Sequence, residues 1–234
     1  MNSKKITDPW SALIEDDFLD WDRYKNLEET FPDKQDLLRS NWHGPKQYKR
    51  RIDGHYSASF KHLSITPEWS DFIDSLTTRD SFRNLFLSFE DDYKIHRPKL
   101  LELVKSNNFT YGWWHSKDKP YNEYDISFDL EFEMGSMHQD LNGLEKHLDS
   151  FSKAIQRMVY FRNPLDTYND SNIHLCTEDL SKDVKIDYIC NRSLSIPLVP
   201  DGWHYVTPRH YRDYTRKKIN VIFNIKDDLQ EMNP

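Results

Sequence analysis

Three short stretches in the C-terminal part of the chain hold side chains that could bind a metal ion and a small organic acid. They are His147-Leu148-Asp149, Asp201-Gly202-Trp203-His204-Tyr205-Val206 and Arg216-Lys217-Lys218-Ile219-Asn220-Val221. Two imidazoles and one carboxylate are the donor set of a mononuclear non-haem Fe(II) site that keeps coordination positions open. An arginine at the head of a β-branched strand complements that set, because a planar guanidinium grips a carboxylate through two parallel N–H···O bonds. The residue types therefore suit an iron centre that also holds a dicarboxylate.

A bare His-x-Asp is a weak signal. With ten His and 27 Asp in 234 residues, composition alone yields about one such pair by chance. The chain has two, His138-Gln139-Asp140 and His147-Leu148-Asp149. The second stands out by the strand downstream of it. Arg157-Met158-Val159-Tyr160-Phe161 reads as an apolar strand closed by Asn163-Pro164. Alternate residues of a strand end or tight turn share one side, so His147 and Asp149 can reach one ion. His204 must then arrive from a distant strand. Period two also sorts the cations: Arg216, Lys218 and Asn220 share one face, and Lys217 shares the other with Ile219 and Val221. Arg216 and Lys218 both remain candidates for the anion, with Arg216 favoured for its fork.

These pieces resemble the core of the Fe(II)/2-oxoglutarate-dependent dioxygenases, in the prolyl-hydroxylase-like and small-molecule hydroxylase branch. His147-Leu148-Asp149-Ser150-Phe151-Ser152-Lys153, followed by Met158-Val159-Tyr160-Phe161-Arg162-Asn163, is similar to the family's His-x-Asp, Lys and Tyr-Leu-Asn-like strand. Asn191-Arg192 with Ser193 to Leu198, then Trp203-His204-Tyr205-Val206-Thr207-Pro208, resembles the segment with the distal ligand. Arg216 before Ile219-Asn220-Val221 is similar to the strand that anchors oxoglutarate. The resemblance spans about residues 120 to 225. It departs from the family at Asn172-Ile173-His174-Leu175, where relatives commonly carry Gly-Gly, and in a slightly longer gap from His204 to Arg216.

The resemblance implies His147, Asp149 and His204 as ligands of Fe(II), with 2-oxoglutarate and O2 as cosubstrates. It implies Arg216 on the C5 carboxylate of oxoglutarate and a hydroxyl hydrogen bond from Tyr160. The activity implied is hydroxylation of an unactivated C–H with release of succinate and CO2. A small-molecule substrate is the first expectation; a prolyl-type hydroxylase of protein side chains and a non-catalytic binding module are the alternatives. A carboxylate at Asp149, where related halogenases carry a small residue, points to hydroxylation or desaturation instead of halogenation. The implied fold is α+β, a double-stranded β-helix (jelly roll, cupin-like) with supporting N-terminal helices.

Composition bounds the rest. One domain is expected over 1–234, with 1–106 a mainly helical support layer and 107–226 the jelly-roll core. A mean hydropathy of -0.87 is poor for a core of this size, and an aromatic fraction of 14% compensates. A net charge of -7 argues against general nucleic-acid binding. With only six glycines, no phosphate-binding glycine loop appears. No apolar run approaches membrane-spanning length and the N-terminus is polar, so no membrane partner and a cytoplasmic location are expected. Cys176 and Cys190 read as buried, inert thiols on strands.

Before residue 107 the pattern is helical. Asp20 or Asp22 caps a helix ending near Phe31-Pro32, Thr66 caps one from Pro67, a third covers Asp80 to Phe89, and Pro98 to Lys105 adds a short apolar turn. After it, strands are predicted at Phe109–Trp114, Tyr124–Phe132, 155–161, 184–190, 192–199 and 216–225. The second alternates apolar and polar as a half-buried antiparallel strand does. Trp113-Trp114-His115 reads as an aromatic core strand. The basic stretch Lys46 to Lys61, flanked by His43 and His62 and including His55, reads as a solvated face with a lid for an anion as its functional rival. Met134 to Asn142 reads as a polar loop before the metal motif.

Overall fold

Alternating residues from Ile126 onward set the architecture, because a strand presents successive side chains to opposite faces. The computed structural model describes residues 2–39, 55–113, 124–135, 144–208 and 214–230. Among these, β1 (Asn2–Ile6), β2 (Ala12–Asp16) and β3 (His55–Ser59) interleave with α1 (Trp21–Glu29) and α2 (Lys34–Arg39). Four helices come next: α3 (Pro67–Thr77), α4 (Arg79–Leu87), α5 (Glu90–His96) and α6 (Pro98–Ser106). The remaining strands are β4 (Tyr111–Trp113), β5 (Ile126–Gly135), β6 (Leu144–His147), β7 (Lys153–Tyr160), β8 (Ile173–Cys176), β9 (Asp183–Ile186), β10 (Ser193–Pro197), β11 (His204–Val206) and β12 (Lys217–Ile225). The large sheet runs β1-β2-β10-β7-β12-β5-β3, with β4 joined to β5 in parallel. The small sheet runs β6-β11-β8-β9. The architecture is mixed α+β with a large, mainly antiparallel sheet.

One face of the large sheet is aromatic and carries the helices. Ile126, Phe128, Leu130 and Phe132 of β5, Val159 of β7 and Ile219, Val221 and Phe223 of β12 form one cluster with Trp69, Phe72, Phe82 and Phe86. Trp69 meets Phe132 at 4.8 Å and Phe161 at 4.9 Å between ring centroids, and Phe82 meets Phe223 at 5.0 Å. Each such ring removes a large apolar area from water, which is how a chain of low mean hydropathy fills its core. The helices start where side-chain caps allow. Asp20 accepts from the backbone N–H of Asp22 and Arg23, and Thr66 and Thr78 cap α3 and α4. The other face of the large sheet looks toward the small sheet across Met158, Tyr160, Leu194, Ile196, Leu175 and Val206.

Several expectations need correction. The first hundred residues contain three strands: β1 and β2 form a hairpin on the β10 edge, and β3 pairs with β5. The N-terminal edge strand is exposed and lysine-rich, so it lacks the alternation that marks a buried strand. Residues 55–59 of the expected solvated basic face are edge strand β3. The turn at Pro98 is the full helix α6, and α5 escapes the pattern because Tyr93 is its one buried side chain. The 184–190 strand stops at Ile186, so Cys190 sits half-buried in a turn; Cys176 is a buried strand thiol, and both are free. Strand β5 is covered on both faces, not half-solvated. His43, Trp114, His115, His138-Gln139-Asp140 and most of Met134 to Asn142 lie outside the described residues. Trp113 packs on Phe60 and Phe128 at 4.5 and 4.1 Å, as a core aromatic would.

Candidate metal centre

The register of the small sheet brings the two histidines together. His204, at the start of β11, is the cross-strand partner of His147, at the end of β6, and their rings stand 4.3 Å apart. Each ring is oriented by the chain close to it. Nδ1–H of His204 donates to the Gly202 carbonyl at 3.0 Å, and Nδ1–H of His147 donates to the Glu145 carbonyl at 2.8 Å. A carbonyl can only accept, so in each ring Nδ1 carries a proton and Nε2 is the nitrogen left to face a metal. Trp10 braces this pair. Its indole N–H donates to the Trp203 carbonyl at 3.0 Å and its ring meets His204 edge-on at 6.2 Å.

Asp149 sits in the turn between β6 and β7. Its Oδ2 stands 3.7 Å from His204 Nε2, and its Oδ1 accepts from Lys153 Nζ at 2.6 Å. Among the described residues, no three His, Cys, Asp or Glu side chains are already arranged to hold an ion. The carboxylate is drawn toward Lys153 instead. Donors sharing one ion lie about 3 Å apart for bonds near 2.1 Å, so the Asp149–His204 separation of 3.7 Å is within ~1 Å of what shared ligation of one ion needs. The electrostatics suit cation binding. Burial lowers the His204 pKa to about 4, against the pull of Asp149, so this ring is neutral at physiological pH. Burial pushes the Asp149 carboxyl up, but Lys153, His204 and His147 together outweigh it and hold the group below its usual range. A neutral imidazole and an ionised carboxylate are the forms that ligate a divalent ion.

The second half of the site lies on the inner face of the large sheet. Arg216, 2% exposed, immediately precedes β12 and sits between the rings of Tyr160 and Tyr188, at 5.4 and 5.3 Å from their centroids. Its Nε and Nη2 and the Tyr160 hydroxyl have no hydrogen-bond partner. Burial raises the Tyr160 phenol, with Arg216 opposing, so the hydroxyl is protonated and able to donate. Three donors buried without acceptors are costly, at roughly 1–3 kcal/mol each, and an acceptor-rich group beside them would relieve that cost. Lys218 shares their face, as period two requires, but pairs with Glu133 at 3.0 Å. Lys217 points the other way and pairs with Glu28 at 2.8 Å. The donors left over belong to Arg216, not Lys218.

Sequence reasoning missed Tyr188, Trp10 and Glu133. Tyr188 and Trp10 carry no local signal, since their place depends on how distant segments meet. Glu133 sits in an alternating strand whose polar residues read as solvent-facing.

A wide sheet and a narrow one enclosing a histidine pair, with helices backing the wide sheet, define the class: the chain has a 2-oxoglutarate-oxygenase-like fold. Among solved structures it is similar to a prolyl-4-hydroxylase of Pseudomonas putida, with a TM-score of 0.51 and 11% identity over 92% of both chains. It is also similar to a prolyl hydroxylase of Trichoplax adhaerens, solved with a hypoxia inducible factor oxygen degradation domain peptide fragment. That match has a TM-score of 0.54 and 14% identity over 94% of this chain and 85% of the other. No protein-family model matches the chain, and no curated protein matches its sequence. No helix among the described residues is long and apolar enough to cross a membrane.

Proposed function

We propose that the chain is an Fe(II)- and 2-oxoglutarate-dependent dioxygenase that hydroxylates an unactivated C–H of a small molecule. His147, Asp149 and His204 would hold the iron, and Arg216 and Tyr160 would hold the distal carboxylate of 2-oxoglutarate. The observation that carries this reading is the set of buried, unpartnered donors of Arg216 and Tyr160 on the face turned toward the small sheet that holds the histidine pair. A binding module has no need for both. Strands β5 to β12 alternate between the two sheets in the order large, small, large, small, small, large, small, large, which supports a double-stranded β-helix.

Bound iron, with O2 and 2-oxoglutarate, would supply the oxidation: the oxo acid would lose CO2 and take up one oxygen atom of O2 as succinate, and the other atom would enter the substrate C–H bond. The protein's own part is positional. The Gly202 and Glu145 carbonyls fix both imidazole tautomers, and Lys153 keeps Asp149 ionised. Arg216 offers two N–H groups in one plane and Tyr160 an O–H, so a carboxylate would be gripped in one orientation. Met158, Leu194, Ile196, Leu175 and Val206 exclude water. A carboxylate at Asp149, where the related halogenases carry a small residue, would favour hydroxylation or desaturation over halogenation.

A second reading, hydroxylation of a protein side chain, is favoured by the likeness to the enzyme solved with a peptide. The test is an anaerobic titration of folded protein with Fe(II) and 2-oxoglutarate, following the visible metal-to-ligand charge-transfer band, beside a His147→Ala sample. A band lost in the variant supports the oxygenase. No band in folded protein leaves a non-catalytic binding module. Succinate release driven by peptides and not by metabolites would favour the second substrate class.

A further inference from the structure

The inner face of the large sheet, beside the metal site, is lined with hydrogen-bond acceptors. Successive rungs across β7, β12 and β5 present Tyr160, Lys218 and Glu133, then Met158, Asn220 and Glu131, then Gln156, Ile222 and Asp129. Lys218 and Glu133 satisfy one another. The Glu131 side chain is half-buried and has no hydrogen bond or ion pair to any described side chain, though Lys218 and Lys153 act on it electrostatically. Beside it, Asn220 and Gln156 are 5% and 8% exposed, and each has a side-chain oxygen without a partner. Lys153, 2.6 Å from Asp149, also acts electrostatically on Glu131 and links this wall to the carboxylate of the metal site.

We propose that Glu131, flanked by Asn220 and Gln156, is the substrate-recognition element of this site, and that it takes a primary ammonium or a guanidinium group. The inference rests on the oxygenase reading and names its substrate class. A carboxylate and two amide oxygens on adjacent rungs match the several N–H donors of such a cation. Burial, with Asp129 and Glu133 nearby, pushes the Glu131 carboxyl up to about 8, and a docked cation would restore its charge. The side-chain oxygens of Asn220 and Gln156 are buried without partners, which is costly, and a ligand bringing N–H donors would satisfy them. The net charge of -7 steers cations toward the site. The same chemistry is offered by a free cationic amino acid and by a Lys or Arg side chain in a peptide.

The experiment uses the full chain with Fe(II) and 2-oxoglutarate, anaerobically for the charge-transfer band and in air for succinate. The probes are L-lysine, L-arginine and capped tripeptides with central Lys or Arg, with L-leucine and L-glutamate as controls. The expected result is a saturable shift of the band and faster succinate release with a cationic probe and not with the controls. Free amino acids alone acting would name a small-molecule source; peptides alone would name a protein. In Glu131→Gln the affinity for that probe should fall about tenfold to a hundredfold, the weight of one charge-assisted hydrogen bond, with the band itself still formed. An equal response to leucine or glutamate, a band that no cationic probe perturbs, or undiminished affinity in folded Glu131→Gln overturns the inference. The wild-type probe comparison decides the matter even if the variant does not fold. If folded wild-type protein forms no band, the oxygenase reading falls first and the inference goes with it.

Discussion

On the role proposed for Arg216, replacing it should make the free protein more stable and abolish tight 2-oxoglutarate binding. The guanidinium is 2% exposed and two of its nitrogens have no partner. Leaving two buried donors unsatisfied costs roughly 2–6 kcal/mol in the folded state. Against this stand the contacts of the cation with the Tyr160 and Tyr188 rings, worth about 1–4 kcal/mol together when desolvated. Arg216→Met keeps most of the volume and removes both terms, so the net change is a stabilisation of about 1–2 kcal/mol. On the ligand side, a bidentate charged pair is lost, which lowers 2-oxoglutarate affinity by about 3–5 kcal/mol, or roughly a hundredfold to a few thousandfold. Lys218→Met supplies the contrast. It breaks the buried pair with Glu133 and should destabilise by about 3–5 kcal/mol, because it strands a buried carboxylate. Thermal unfolding in the absence of ligand, with calorimetric titration of 2-oxoglutarate into the Fe(II) form, reads both quantities. A less stable Arg216→Met that still binds 2-oxoglutarate normally would show that the arginine is a structural residue and that the anion receptor lies elsewhere.

Other perturbations bear on the same site. His204→Ala should abolish the charge-transfer band and Fe(II) retention while circular dichroism stays that of the wild type; full turnover in this variant would refute its role as a ligand. Trp10→Phe removes the indole N–H that donates to the Trp203 carbonyl, so Fe(II) dissociation should quicken severalfold with a stability loss of about 1 kcal/mol, checked by chelator competition. The Glu131 carboxyl is raised in the fold to about 8 from its ordinary value of 4.5, so the stability it allows is fully present below about pH 4.5 and is lost as pH rises through about 8. Glu131→Gln should therefore unfold at a higher temperature than the wild type at about pH 9, by a few degrees, and at the same temperature at about pH 4.5. An unchanged difference across that range would mean the carboxylate is solvated. Lys217→Met loses only its pairing with Glu28 on the helix side and should leave 2-oxoglutarate affinity within about twofold of wild type.

Much of this geometry is legible in the residue order where a single period governs it. The sorting of Arg216 and Lys218 from Lys217 comes from the two-residue period of β12, and the observed partners of all three agree with it. The starts of α1 and α3 are readable from Asp20 and from Thr66-Pro67, because a cap is a local hydrogen bond between neighbours. Features that depend on distant partners are not legible. The β1–β2 hairpin exists because β2 finds the edge of β10, far away in the chain, and neither strand has a strong pattern of its own. Tyr188 reaches Arg216 from a turn after β9, with no spacing rule to announce it. The charges of β5 can be assigned to a face but not to an environment, since period two says which residues share a side and not what covers it.

That last distinction explains the division of labour in the large sheet. Across β5 and β12 its helix-side face is apolar, from Phe128 and Phe132 to Val221 and Phe223, and the larger apolar cluster lies there, while on β7 Arg157 pairs with Glu15 of β2. The inner face holds Arg216, Lys218, Glu133, Glu131, Asn220 and Gln156, of which only Lys218 and Glu133 form a mutual pair. An inner face selected for stability would be filled with β-branched and aliphatic side chains, since well-packed apolar groups are at least as stabilising as buried ion pairs. The unpaired groups are therefore better understood through what they bind than through what they stabilise. The helix-side core offsets their cost, and the sign of the stability change at Arg216 is a direct consequence of that arrangement.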